Sequence, residues 1–170
     1  RIEDLLRYGN LMRDDTLRPP SPQSLADALS TVLARHRLIL ATHRIQVDTD
    51  MAETTLHVDR NQLETVLDNL LSNAIKFSPE EGHILIRSEL SDAAVILHVC
   101  DQSGGIPEAE RNRVFEPFFQ GARQPDSAVK GSGLGLSIVR ETLLAAGGQI
   151  EIIDSPPWST CFCITWPLPQ

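Results

Sequence analysis

The segment Leu63 to Pro79, LETVLDNLLSNAIKFSP, decides the fold, because it predicts one amphipathic helix with two distinct faces. Apolar side chains at three- and four-residue spacing predict the buried face: Leu63, Val66, Leu67, Leu70, Leu71 and Ala74. At about 100° per residue, a second stripe lies roughly a quarter-turn away. Its members are Asn69, Asn73, Lys76 and Phe77. Asparagine is a mediocre helix former, so a pair of asparagines four residues apart indicates a role beyond the helix itself.

Length and charge narrow the classes of protein to consider. The chain has 170 residues, enough for about one domain with a sizeable core. Its net charge of −8 argues against a general binder of nucleic acid or of anionic membranes. No apolar run approaches the ~20 residues of a membrane span, and no signal peptide is visible. The sequence begins at Arg1 inside a helical pattern, so we expect a piece of a longer protein.

The three cysteines are Cys100, Cys161 and Cys163. An odd number of cysteines, without the spacing of a disulfide framework, indicates unpaired thiols and a protein of a reducing compartment. A zinc site needs about four ligands, and no second pair accompanies Cys161 and Cys163. We therefore expect the cysteines to be small, buried, apolar side chains.

The order of helical and strand patterns predicts the fold class. Strand patterns come in pairs between helices instead of alternating with them singly, which favours an α+β fold with helices on one face of a mixed or antiparallel sheet. The helical patterns cover residues 24–41, the asparagine helix after an N-cap at Asp59, and a helix ending at Ala146. The strand patterns cover residues 44–50, 55–58, 83–90, 93–100, 149–154 and 161–168.

A glycine-rich stretch, GSGLGL at 131–136, follows a polar segment at 120–130 and precedes the last helix. Small residues let backbone N–H groups approach an anion at the start of a helix. The Walker A pattern and the dinucleotide fingerprint are both absent. On its own the stretch is equally compatible with a flexible start to a helix.

The other polar candidates also have two interpretations each. Asp101 follows a buried strand, where a carboxylate can accept a hydrogen bond from an exocyclic amine or can cap the turn. The asparagines could bind a hard cation through their oxygens or form an amide network. Lys76 could pair with a phosphate, and Phe77 could stack on a base or belong to the core.

Four motifs occur together in a fixed order: NLLSNAIKF at 69–77, DQSGGI at 101–106, FEPFF at 115–119 and GSGLGLSIV at 131–139. They resemble the N box, first glycine box, F box and second glycine box of sensor histidine kinases. The resemblance covers roughly residues 24–168. It implies the catalytic, ATP-binding domain with the Bergerat (GHKL) fold, an α+β two-layer sandwich whose mixed, mostly antiparallel sheet has helices on one face.

The resemblance implies that the chain binds ATP and Mg²⁺. Asn69 and Asn73 match the positions at which the metal is held. Lys76 matches a phosphate contact, and Phe77 matches a ring near adenine. A last group of matching residues is expected to surround the nucleotide: Asp101 at the adenine amine, Gly105 and Ile106 in the base pocket, and Lys130, Gly131, Ser132, Gly133, Leu134, Gly135 and Leu136 at the hinge and phosphate cradle. The loop 120–130 corresponds to the ATP lid.

The chain departs from the family pattern in two ways. Ser103 stands where the pattern D-x-G-x-G-I has its first glycine, which would cost roughly 1 kcal/mol if that position needed a positive φ. In addition, none of the five histidines is followed by an acidic residue, as the phosphoacceptor of the family is. The acceptor is therefore expected before Arg1.

These matches imply a function and a domain organisation. Residues 1–15 would end the dimerisation and histidine-phosphotransfer hairpin, 16–23 would be a linker, and 24–170 would be the catalytic domain. The γ-phosphate of ATP would pass to a histidine on the dimerisation domain and then to an aspartate in the receiver domain of a response regulator. The full-length protein would be a homodimer that does not bind nucleic acid. Its catalytic domain would be cytoplasmic. The protein would be attached to the inner membrane only through the missing N-terminal part.

Two alternatives remain open from the sequence. The first is a signalling scaffold, with or without bound nucleotide, that has no kinase activity, and Ser103 is the feature that keeps it open. The second is another ATPase of the same superfamily, such as an anti-sigma-factor kinase or a topoisomerase-type ATPase.

Overall fold

The computed structural model describes residues 19–119 and 135–169. Its helices are α1 (Leu25–Arg35), α2 (Arg37–Thr42), α3 (Arg60–Phe77) and α4 (Gly135–Ala145). Its strands are β1 (Ser21–Ser24), β2 (Gln46–Asp50), β3 (Thr55–Val58), β4 (His83–Leu90), β5 (Ala94–Asp101), β6 (Gln149–Ser155) and β7 (Trp158–Pro167). Within these ranges, no helix has the length and apolar character needed to cross a membrane.

The strands form two separate sheets. Five strands make the main sheet in the order β2-β4-β5-β7-β6, and β1 pairs with β3 in a small antiparallel sheet. Within the main sheet, β2 runs parallel to β4, and the other neighbours are antiparallel. This mixed, mostly antiparallel sheet with its helices confirms the predicted α+β sandwich.

The core lies between the main sheet and its helices. The predicted apolar stripe of α3 is entirely buried. It shares one cluster with alternate residues of the central strands, namely Val95, Leu97, Val99, Phe162 and Ile164. Because successive strand residues point to opposite faces, this alternation directs one face of β5 and β7 towards the helices. Burial of α3 on that face holds the asparagine stripe at the edge of the core.

The ends of α3 follow from local chemistry. Asp59 is the N-cap, and its side chain accepts a hydrogen bond of 3.0 Å from the backbone N–H of Asn61. The helix ends at Ser78, which is extended because Pro79 follows it. The predicted N-cap at Asp59 is confirmed. The helix begins at Arg60, three residues before the first residue of the apolar stripe.

The N-terminal part of the described chain differs from the pattern in two places. The helical pattern at 24–41 divides at His36 into α1 and α2. The ring nitrogen Nε2 of His36 lies 2.8 Å from Oδ1 of Asp68 on α3, which anchors the break. β1 covers Ser24 and the last three residues of the segment 16–23 that was expected to be a linker, and it pairs with β3. Proline at 22 is compatible with a strand here because both strands of this small sheet are edges.

The expectation of unpaired cysteines was wrong for Cys100 and Cys161. The two residues face each other across β5 and β7, with Cα atoms 4.1 Å apart, and form a disulfide. The sequence hides this pairing because 61 residues separate them. Cys163 is free and half-buried, and burial raises the pKa of its thiol.

The phenylalanines of the motif FEPFF do not pack as one apolar cluster. Phe115 is buried and meets Phe162 edge-on, with ring centroids 6.3 Å apart. Phe118 is 61% exposed and has a φ of 65°, so it points away from the core. Only the first phenylalanine of the motif therefore acts as a core residue.

A charged cluster joins α1 to α3 on the surface. Glu64 accepts hydrogen bonds from Arg35 and from Nε of Arg60, the latter at 2.6 Å. Partial burial raises the pKa of the Glu64 carboxyl, but the two guanidinium groups outweigh burial and hold it below its ordinary value of 4.5. Because the folded pKa is depressed, this cluster stabilises the fold above about pH 4.5 and loses that contribution as pH falls through the lowered pKa.

We expect Glu64→Gln to lower the free energy of unfolding at pH 7 by about 1 kcal/mol, because it removes the charge from both hydrogen bonds. The loss should shrink as pH falls from 6 to 3, where the wild-type carboxylate becomes protonated. Urea unfolding across that range measures both effects, with the exposed Glu53→Gln as the control. A loss that is the same at pH 3 and pH 7 would contradict the charge-based account.

Candidate functional site

The Asn69 side chain is fixed between two helices. It is 9% exposed, and its Nδ2 donates a hydrogen bond of 2.8 Å to the backbone carbonyl of Thr65, one turn earlier. Its Oδ1 lies against the start of α4, where a Cβ on Gly135 would come within 3.2 Å of that oxygen. Glycine at 135 therefore allows α4 to approach the amide closely. This contact brings the first and the fourth sequence motifs together.

Asn73 lies one turn further along α3 and differs from Asn69 in its hydrogen bonding. Its side chain is partly exposed, but its Nδ2 is buried and has no hydrogen-bond partner among the residues that the structure describes. An unpaired buried amide costs about 1–3 kcal/mol. Water or a bound group can therefore supply the partner that this amide lacks among the described residues.

The pair of amides fits a hard cation. Mg²⁺ prefers oxygen ligands, and it keeps water and phosphate oxygens when the protein supplies few ligands. Asn69 and Asn73 each carry one amide oxygen on the same stripe of α3. Within residues 19–119 and 135–169, no group of three or more His, Cys, Asp or Glu side chains could hold a metal ion. These amides are accordingly the residues of this stripe that could hold one.

Lys76 and Phe77 lie at the last turn of α3. Both are partly exposed, and Nζ of Lys76 lies 5.2 Å from the centroid of the Phe77 ring. A cation in the last turn also complements the helix dipole. The site therefore has a positive charge and an aromatic surface directly beyond the amides.

A buried carboxylate stands at the end of β5. Asp101 is fully buried, and its Oδ1 accepts a hydrogen bond of 2.9 Å from the backbone N–H of Ser103. Thr160, on β7, faces Asp101 directly in the strand register and is 1% exposed. Oγ of Ser103 lies 2.8 Å from Oγ1 of Thr160. The sequence indicated Asp101, but it gave no sign of Thr160 because the register of two distant strands is not visible in it.

The loop after Asp101 carries no strain at Ser103. Among the described residues, the positive φ of this loop is at Gly105, with 82°, and neither Ser103 nor Gly104 has one. A Cβ on Gly105 would also lie 3.4 Å from the carbonyl oxygen of Ser159. Ser103, the departure from the family pattern, therefore causes no backbone strain. The position in this turn that needs a glycine is 105, and Gly105 occupies it.

The elements that carry the predicted residues within the described part of the chain pack against one another. α3 packs against both α4 and β5, and the amide stripe meets the start of α4 where Asn69 lies against Gly135. Ile106 follows Asp101 closely and is buried in the core cluster, and Leu136 packs partly against that cluster. The predictions for Lys130, Gly131, Ser132, Gly133 and Leu134 lie outside the described residues, as do those for the lid at 120–130 and the hairpin at 1–15.

Comparison with protein families gives one clear match. Residues 58–170 match the model described as histidine kinase-, DNA gyrase B-, and HSP90-like ATPase. Sensor histidine kinase GlrK of Escherichia coli K12 is 38% identical over 166 residues, which cover 98% of this chain and 35% of that protein. The chain thus spans about a third of the length of this curated relative.

Solved structures agree with the family match. The mycobacterial sensor histidine kinase MprB has a TM-score of 0.77 and 29% identity, covering 87% of this chain and 97% of that one. Full-length ShkA, solved in complex with AMPPNP, has a TM-score of 0.82 and 25% identity, covering 98% of this chain and 35% of that one. The fold described above is therefore similar to that of sensor histidine kinases.

We expect the two asparagines to respond differently to replacement by aspartate. Asn69→Asp loses the hydrogen bond to the Thr65 carbonyl and places a carboxylate against it, so the free energy of unfolding should fall by about 1–3 kcal/mol. Asn73→Asp also introduces a carboxylate oxygen but loses no hydrogen bond among the described residues, so it should cost less than Asn69→Asp. Urea unfolding without nucleotide compares the two, and equal losses would contradict the distinction.

Proposed function

Because the chain belongs to the histidine kinase-, DNA gyrase B- and HSP90-like ATPases and has the fold of the sensor histidine kinase catalytic domain, we propose that it binds ATP with Mg²⁺ and presents the γ-phosphate to a histidine outside this sequence. The observation that carries this proposal is the contact between Asn69 and Gly135. It joins the amide stripe of α3 to the start of α4, where a helix N-terminus favours an anion.

Each residue of the site has a proposed role that its chemistry supports. The amide oxygens of Asn69 and Asn73 hold Mg²⁺, which neutralises the charge on the phosphates when it is bound. Lys76 contacts a phosphate, and the partly exposed ring of Phe77 lies beside adenine. Residues 130–136 surround the phosphates through their backbone N–H groups. The remaining contribution of the protein is to position the γ-phosphate.

The base end of the site is proposed to recognise the exocyclic amine of adenine. A carboxylate accepts but does not donate a hydrogen bond, and Asp101 presents a buried carboxylate at the end of β5. Gly105 gives the turn its positive φ and so allows the chain to pass close to the base. Ile106 adds an apolar wall.

The partners belong to the proposal as well. The acceptor histidine is proposed to lie on the dimerisation domain of the same protein, with residues 1–15 as the end of its hairpin and 24–170 as the catalytic domain. The phosphoryl group then passes to the receiver domain of a response regulator. The scaffold alternative rested on Ser103, and its support is weaker now that Ser103 has no positive φ.

We expect the chain to bind ATP in a manner that depends on Mg²⁺. Asp101→Asn should weaken ATP binding about tenfold or more, because its new amide donor opposes the amine of adenine. Asn73→Ala should weaken binding only when Mg²⁺ is present. Calorimetry measures these affinities, and Ser72→Ala, an exposed change next to Asn73, is the matched control. Binding of ATP that is unaffected by both variants would contradict the proposed site.

We also expect the chain to lack an acceptor of its own. With ATP labelled on the γ-phosphate, this chain alone should gain no histidine phosphate. The same chain should label the isolated dimerisation domain of its own protein when the two are mixed. Acid-labile, base-stable label on the chain alone would contradict this division of roles. Label on neither partner, despite ATP binding, would favour the scaffold alternative.

A further inference from the structure

The disulfide between Cys100 and Cys161 lies at the base of the segment that carries most of the predicted site. Cys100 directly precedes Asp101 at the end of β5, and Cys161 directly follows Thr160 on β7. The two cysteines are 61 residues apart in the sequence, so the bond closes a long loop. That loop contains the motifs DQSGGI, FEPFF and GSGLGLSIV. Three of the four predicted motifs therefore lie in the segment that this disulfide closes.

The disulfide is on the face of the main sheet that is turned away from the helices. The core cluster takes the alternate residues of β5 and β7, and successive strand residues point to opposite faces. Cys100 and Cys161 are 2% and 1% exposed, but their neighbours on this face in the register, Leu85 and Ile153, are only partly buried. An attacking thiol therefore approaches from the side of the sheet opposite the helices.

The third cysteine does not exchange with this disulfide within the chain. Cys163 lies two residues beyond Cys161 on the same strand, about 6.6 Å away, and diagonally from Cys100, at about 7–8 Å. A disulfide requires Cβ atoms that are about 3.5–4.5 Å apart. Burial also raises the pKa of the Cys163 thiol, so little of its nucleophilic thiolate is present at neutral pH. Thiols outside the chain therefore set the redox state of the pair.

Reduction of the pair follows ordinary thiol–disulfide exchange with a low-molecular-weight thiol. The thiolate attacks one cysteine sulfur, the S–S bond breaks, and the other cysteine leaves as a thiolate that takes up a proton. A second thiol then attacks the mixed disulfide at the sulfur of the first, which releases the remaining cysteine and one molecule of the oxidised thiol. Two electrons and two protons thus pass from the two thiols to the protein.

Loss of the bond acts mainly at one end of the strand pair. The two strands remain paired in register from Ala94 to Asp101 and share the core cluster, so the fold does not depend on the disulfide alone. The bond is next to the last pair of that register, formed by Asp101 and Thr160. The ends of paired segments open more readily than their centres. The disulfide therefore restrains the end of β5 at which the proposed base site begins.

We infer that the disulfide between Cys100 and Cys161 is a redox-sensitive restraint on the nucleotide site, and that the oxidised chain binds ATP more tightly than the reduced chain. This inference rests on the proposed binding of ATP. By linkage, ATP then protects the disulfide from reduction by the same factor. A disulfide that only stabilises the fold would not respond to nucleotide in this way.

Calorimetry on the full chain tests the inference by comparing the affinity for ATP with Mg²⁺ before and after reduction by glutathione, without denaturant. Titration of thiols after unfolding identifies the two forms, with one thiol in the oxidised chain and three in the reduced chain. Reduction should weaken ATP binding about fivefold or more, the lower end of the usual coupling between two sites. Saturating ATP should shift the equilibrium with reduced and oxidised glutathione by the same factor.

Cys163→Ser is the matched control, because it removes the free thiol and should leave the full redox response. The double variant Cys100→Ala with Cys161→Ala should bind ATP like the reduced wild type and should not respond to glutathione. Equal affinities of the oxidised and reduced wild type for ATP would overturn the inference and leave the disulfide a structural one. A disulfide that glutathione reduces only when the chain unfolds would also overturn it. If neither form binds ATP, the proposed function fails, and the inference fails with it.

Discussion

The position of the Asn69 side chain is the constraint on which the rest of the site depends. Its Nδ2 is held by the Thr65 carbonyl within α3, and its Oδ1 lies against Gly135 at the start of α4. Burial of the apolar stripe fixes the rotation of α3, and that rotation places the amide at the edge of the core. A Cβ at position 135 would lie 3.2 Å from this oxygen, so the Asn69 amide would have to shift by a few tenths of an ångström. One helix therefore serves as both a core element and a wall of the site.

The sequence predicted the parts of this arrangement that depend on local pattern. The stripe of α3, its N-cap at Asp59 and its end at Ser78-Pro79 all follow from helical periodicity and capping chemistry. The pairing of β4 with β5 and of β6 with β7 followed from alternation and turns, whereas β2 and β3, which are also neighbours in the sequence, lie in different sheets. The division of the helical pattern at His36 could not be predicted from the sequence, because it depends on the tertiary contact with Asp68. β1 was missed for a related reason, since a four-residue segment with proline forms a strand only because β3 is available as a partner.

The register between β5 and β7 is the clearest example of what the sequence does not contain. One alignment of the two strands places Cys100 opposite Cys161 and Asp101 opposite Thr160. It produces both the disulfide and the buried polar cluster. Shifting the register by one residue would turn every side chain of one strand to the other face. The sequence identified Asp101 by its place after an apolar strand, but its partners Ser103 and Thr160 could be recognised only in three dimensions.

The most direct test of the account follows side-chain and backbone amide signals by nuclear magnetic resonance while ATP and Mg²⁺ are added to the chain. The account predicts that the side-chain amides of Asn69 and Asn73 and the backbone amides of Ser103 and Gly105 shift together and saturate at one nucleotide concentration. Those groups come from separate segments that share a site only if the described packing is right. Shifts confined to one segment, or centred on exposed residues of β2, would contradict it.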